Sequence, residues 1–105
     1  MFKTLEKDIQ LEICNWLAIK GFFFWRNNTT GVYDPTQKLF RAKPKYALNG
    51  LPDIIIIKNG IFIGLEVKRP KARQSDAQVT FQNNLEKNGG QYYVVHSLLE
   101  VMNIL

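Results

Sequence analysis

Asn59-Gly60 separates two apolar, β-branched runs, Ile54-Ile-Ile-Ile57 and Ile61-Phe-Ile-Gly-Leu65. Both turn residues tolerate positive φ, so this pattern is the strongest short-range signal for a tight antiparallel hairpin. A two-residue loop fixes every later pairing. Lys58 meets Ile61, Ile57 meets Phe62, Ile55 meets Gly64, and Asp53 meets Glu66. Residues directly opposite share a face, with Cβ atoms roughly 4.5–5.5 Å apart. Period-two alternation sets Lys68 on that face as well, one step beyond Glu66. Arg69-Pro70 closes the second strand, because proline offers no donor to a ladder.

Around the hairpin, Phe2, Leu5, Ile9, Ile13, Trp16 and Leu17 recur at steps of three and four. That spacing predicts an amphipathic helix over 2–20, stopped at Gly21. Phe22-Phe-Phe-Trp-Arg26 reads as a strand buried on both faces. Asn27 to Gly50 is a long connection of turn signals with weak strand character near Leu39 and Phe40, the kind of segment that is usually functional or mobile. Ser75 opens a second helix through about Asn88, Gln91 to His96 forms a last strand, and Ser97 caps a short terminal helix. The order is α-β-β-β-α-β-α. It predicts a single α/β domain over 1–105, with a central mixed sheet flanked by helices.

Composition supports that class. A chain of 105 residues with 46% hydrophobic and 22% charged content is globular rather than disordered. Cys14 is the lone cysteine, which excludes an internal disulfide and suits a reducing compartment. No stretch reaches the roughly 18 apolar residues of a membrane span, and the first residues lack a secretion core. A membrane partner is therefore not expected, and the location expected is intracellular. The net charge of +5 favours an anionic partner. It concentrates in Lys38, Arg41, Lys43 and Lys45 and in Lys68, Arg69, Lys71 and Arg73, two segments without an acid.

Two carboxylates facing each other across a ladder repel, and a hard divalent cation relieves the repulsion. Such a cation would also activate water and offset the charge of an in-line phosphoryl displacement. Lys68 is placed to neutralise the transition state or orient the attacking water. The competing interpretation is a surface Glu66–Lys68 pair beside an acid that merely ends a strand. The register, the acids within an aliphatic hairpin and the basic flanks favour a metal site.

Leu51-Pro-Asp53 followed by Gly64-Leu-Glu66-Val-Lys68 resembles the signature of the PD-(D/E)XK nuclease superfamily. Asn49-Gly-Leu-Pro-Asp53, Glu66-Val-Lys-Arg-Pro70 and Ser75-Asp-Ala-Gln78 are together similar to the VRR-NUC (virus-type replication-repair nuclease) family, over nearly the whole chain. The resemblance implies a restriction-endonuclease-like fold and a Mg²⁺-dependent DNA endonuclease, with Mn²⁺ as substitute. It makes Asp53 and Glu66 metal ligands and Lys68 the catalytic lysine. Glu6 matches the family's helix-one acid, a further catalytic and metal-binding position, and Gln78 matches its helix-two glutamine. It also implies a homodimer, duplex or branched DNA such as a four-way (Holliday) junction as substrate, and a role in replication, recombination or repair. A viral source is suggested by the same likeness and the small size; the cytoplasm or nucleoid of a host cell would be the setting.

Ordinary roles compete at several of these positions. Glu6 borders the apolar stripe and could point inward, or it is a solvated helix residue. Ser75 and Gln78 match a capping box, which suffices for Gln78 without any site role. Arg69, Lys71, Arg73, Lys43 and Lys45 are candidates for phosphate contact, with Arg26 and Asn27 weaker ones; the alternative is a solvated basic surface. Tyr33 and Tyr46 more often pack a loop than stack on bases. Cys14 with His96 would suit a thiol hydrolase, but a small buried hydrophobe is the better reading of Cys14. There is no Cys/His spacing for zinc and no Gly-rich loop for a nucleotide cofactor. A non-catalytic DNA-binding module partnering a helicase or recombinase is the rival of a different class.

Overall fold

The computed structural model describes residues 5–27, 33–34, 39–40 and 44–105. In chain order the elements are α1 (Glu6–Lys20), β1 (Phe23–Arg26), β2 (Tyr33–Asp34), β3 (Leu39–Phe40), β4 (Ile54–Lys58), β5 (Ile61–Val67), α2 (Asp76–Lys87), β6 (Gln91–Val95) and α3 (Leu98–Ile104). The Asn59-Gly60 turn forms with φ of 53° and 79°. It sets the β4–β5 register that a two-residue loop requires, from Lys58↔Ile61 to Ile54↔Leu65. β1 pairs antiparallel with β4, and β6 pairs parallel with β5, so the mixed sheet runs β1-β4-β5-β6. The parallel step needs a crossover, and α2 supplies it.

This is the expected α-β-β-β-α-β-α order with one addition. β2 and β3 pair as a separate two-stranded ladder, Tyr33↔Phe40 and Asp34↔Leu39, inside the segment expected to be a loop. α1 starts at Glu6, because Leu5 is still extended at φ −81°, ψ 148°. Phe2, placed on the apolar stripe by its spacing, lies outside the described residues.

Alternation divides the sheet into two faces. Ile54 and Ile56 of β4, Ile63, Leu65 and Val67 of β5 and Val95 of β6 form one face, buried under Ile13 and Leu17 of α1 and Val101 of α3. The other face carries Ile55, Phe62, Gly64, Glu66 and Tyr92, and α2 packs there through Phe81, whose ring lies 6.5 Å from Phe62 and 6.3 Å from Tyr92. β1 departs from expectation. Read as a strand buried on both faces, it is the sheet edge, with Phe23 68% and Trp25 41% exposed. The apolar run reflects one covered face and a partly open one, which periodicity does not distinguish.

α2 opens with a complete capping box. Ser75 Oγ accepts the Gln78 N–H at 3.2 Å and Gln78 Oε1 accepts the Ser75 N–H at 2.8 Å. Among the described residues no helix is long and apolar enough to cross a membrane.

Candidate active site

Asp53 is the residue before β4, and its carboxylate reaches across the hairpin to β5. Asp53 Oδ2 accepts the Val67 backbone N–H at 2.8 Å. Asn27, just past β1, holds the same stretch from the other side. Its N–H donates to the Asp53 carbonyl at 2.8 Å, and its Nδ2 donates to the Pro52 carbonyl at 3.0 Å. Glu66 lies opposite and is only 2% exposed, the one charged side chain within the described core. Tyr92 Oη donates to Glu66 Oε2 at 3.2 Å.

The two carboxylates adjoin each other across the hairpin. Burial first, and then the adjacent Asp53, push the Glu66 pKa up to about 8, while Tyr92 and Lys68 pull it back. Burial beside Glu66 also raises the Tyr92 pKa well above its ordinary value, so the phenol stays a donor. Gly64 has no side chain, and on sequence alone it is expected to leave room beside the acids on its face. In the structure that space is filled: a Cβ there would stand 2.7 Å from Pro52 Cγ and 3.5 Å from Tyr92 Cδ2.

Lys68 leaves the end of β5 half-buried, with its backbone held at three successive points. Its N–H donates to the Val95 carbonyl at 3.0 Å, and its carbonyl lies 2.8 Å from His96 Nδ1. The next N–H, of Arg69, donates to Glu6 Oε1 at 3.2 Å. Glu6 therefore reaches the site's margin from the first turn of α1, with one oxygen engaged by backbone. It does not complete a three-acid cluster: among the described residues, no three His, Cys, Asp or Glu side chains converge to hold a metal ion. The donor set is the Asp53–Glu66 pair. Its chemistry fits one hard cation completed by water and phosphate oxygens, since the buried Glu66 and the half-buried Asp53 facing it gain from a divalent charge between them.

The remaining sequence candidates spread around this pair. Gln78 Oε1 is engaged in the cap, leaving its Nε2 as a donor. Arg26 lies on the α1 side of the sheet, its Nε donating to Gln10 Oε1 at 3.0 Å and its Nη2 to the Lys7 carbonyl at 3.4 Å. Arg69, Lys71 and Arg73 are exposed just beyond Lys68. Lys45 is exposed, its Nζ 5.0 Å from the ring centre of an equally open Tyr46. Lys43, with Lys38, Arg41 and the side chain of Tyr33, lies outside the described residues. Cys14 packs against the core and burial raises its pKa, the opposite of what a thiolate nucleophile needs.

Sequence reasoning missed Tyr92, Gln74 and the role of His96. Tyr92 meets Glu66 only through the β6 packing, and Gln74 meets Tyr92 and Gln82 rather than Glu66 itself. A cavity of about 740 Å³ lies on the same sheet face, between Leu51, Ile55, Phe62, Phe81 and Leu85. Its lining has no titratable side chain.

No family model matches the sequence, and no curated protein matches it. A solved structure described as a VRR_NUC domain protein superimposes with a TM-score of 0.71, at 17% sequence identity, covering 98% of this chain and 86% of that one. The chain therefore has the fold of that VRR_NUC domain.

Proposed function

We propose that the chain is a Mg²⁺- or Mn²⁺-dependent DNA endonuclease of the PD-(D/E)XK type. The observation that carries this reading is the buried Glu66 carboxylate facing the half-buried Asp53, with Lys68 on the same hairpin face and a basic turn directly behind it. Asp53 and Glu66 would hold the cation. When bound, it supplies Lewis acidity that offsets charge on the phosphate and eases deprotonation of the attacking water.

The chain's own groups do the rest. Lys68, fixed through its backbone to β6 and to Glu6, sets a positive charge where the phosphate gains negative charge. Gln78 Nε2 offers a donor from the start of α2. Arg69, Lys71, Arg73 and Lys45 take up backbone phosphates without reading sequence. Water adds to phosphorus, the ester P–O bond breaks, and the leaving oxygen takes a proton. Each site cuts one strand, so a two-fold homodimer would cut both strands of a duplex or a four-way junction, which suits work on replication, recombination or repair intermediates inside a cell.

A cleavage panel of single-stranded, duplex, flap, splayed-arm and four-way-junction DNA, with Mg²⁺ and with EDTA, tests activity and substrate class together. Metal-dependent nicking that is strongest on junctions is the expected result. Binding without cleavage would establish the rival, a non-catalytic DNA-binding module.

A further inference from the structure

Tyr92 is 4% exposed and directs its only polar atom at Glu66. Its position follows from the parallel β5–β6 register, which sets Tyr92 beside Gly64, two residues before Glu66 on the same face. The ring is wedged between Phe81, 6.3 Å away at 52°, and the surface left open by Gly64. The hydroxyl is supported in turn. The Gln74 amide hydrogen-bonds it as a donor, and Gln74 Nε2 also donates to Gln82 Oε1 at 3.0 Å. Gln74 thus donates both to Gln82 of α2 and to Tyr92, which donates on to Glu66 Oε2.

A buried glutamate has rotamer freedom to lose and an acidic neighbour that repels it when both are ionised. Without a fixed donor it would turn away from Asp53. We propose that Tyr92, held by Gln74, is a positioning residue for Glu66: its hydroxyl ties down Oε2 so that the other carboxylate oxygen stays turned toward Asp53. The inference rests on the reading of Asp53 and Glu66 as a cation site and adds the outer partner that orients it, a class of contact whose loss typically lowers metal affinity or activity about 10–100-fold.

Mn²⁺ titration by calorimetry, thermal unfolding and steady-state nicking would be measured on the full chain as wild type, Tyr92→Phe, Gln74→Leu and Glu66→Gln. Tyr92→Phe keeps the ring stack and should unfold within a few degrees of wild type. It should bind Mn²⁺ about tenfold or more weakly and lose kcat at unchanged KM for DNA. Gln74→Leu should move Mn²⁺ affinity the same way, several-fold, without touching the buried ring. Wild-type Mn²⁺ affinity in folded Tyr92→Phe overturns the positioning role while leaving the cation site intact. If Tyr92→Phe fails to fold, wild-type affinity in Gln74→Leu overturns it equally. Wild-type protein that binds no more Mn²⁺ than Glu66→Gln overturns the cation site itself, and the inference with it.

Discussion

Asp53 Oδ2 lies 2.8 Å from the backbone nitrogen of Val67, the residue after the Glu66 that Asp53 faces. The acid proposed to hold a cation is thus also the clip joining the start of one hairpin strand to the end of the other. These two roles separate by substitution. Asp53→Asn keeps an oxygen for the Val67 N–H and removes the charge, so it should unfold near wild type, bind DNA normally and show no detectable nicking. Asp53→Ala should lose nicking too, and in addition about 1–2 kcal/mol of stability for the donor left unmet. Unfolding curves, DNA-binding anisotropy and a nicking assay on the two variants check this; equal cleavage by wild type and Asp53→Ala would sink the mechanism.

Glu66 gives the pH dependence a sign. Its pKa moves from an ordinary 4.5 to about 8, chiefly through burial. Between those values the unfolded chain has released the proton that the native chain keeps. Stability of the cation-free protein should therefore fall as pH rises through that window, with a slope of at most about 1.4 kcal/mol per pH unit. Glu66→Gln should flatten the slope. Cleavage should run the opposite way, rising with pH because proton and cation compete for the same oxygens, and more Mg²⁺ should move the profile toward lower pH. Urea unfolding in EDTA from pH 5 to 8, and kcat/KM over the same range at two Mg²⁺ concentrations, measure both.

The opposition of Asp53 and Glu66 was legible in the sequence because one local signal determines it. Asn59-Gly60 fixes the loop length, and the loop length fixes every pairing down the ladder. Ser75 and Gln78 were legible as a cap for the same reason, being a contact within four residues. Tyr92 was not. It reaches Glu66 only after β6 aligns parallel to β5, and that register is set by how the α2 crossover packs, for which the strand itself carries no signal. The exposure of β1 was hidden likewise: an aromatic run reads the same whether a helix covers its second face or leaves it partly open. Glu6 could be placed on α1 but not against Arg69, since the contact depends on how the helix docks.

Gly64 carries a packing constraint that reaches the site. A Cβ there would come within 2.7 Å of Pro52 Cγ and 3.1 Å of Pro52 Cβ. The proline ring is stiff and precedes Asp53 directly, so relief must shift Pro52 and carry the Asp53 carboxylate with it. Gly64→Ala should cost about 1–3 kcal/mol, as overpacking does. Nicking per folded molecule should fall as well, a loss that temperature alone does not restore. Thermal unfolding paired with activity normalised to folded protein tests this; a destabilised variant with full specific activity would show that Asp53 does not follow the proline.

Lys71 is the third residue of the turn Arg69-Pro70-Lys71-Ala72, closed by the Ala72 N–H on the Arg69 carbonyl at 3.1 Å. Its φ is 70°. Proline second and a positive φ third is the type II pattern, whose third position favours glycine or asparagine. A lysine held there stores strain of about 1 kcal/mol, and Lys71 lies three residues past Lys68, beside the path proposed for a DNA strand. Lys71→Gly should therefore raise stability by about 0.5–1 kcal/mol while weakening DNA binding. The dependence of log affinity on log salt should become shallower by about 0.9, the contribution of one lost phosphate contact. Anisotropy titrations across salt concentrations, alongside urea unfolding, measure both effects. A stabilised variant whose affinity and salt slope match wild type would mean that the Lys71 charge is not spent on phosphate.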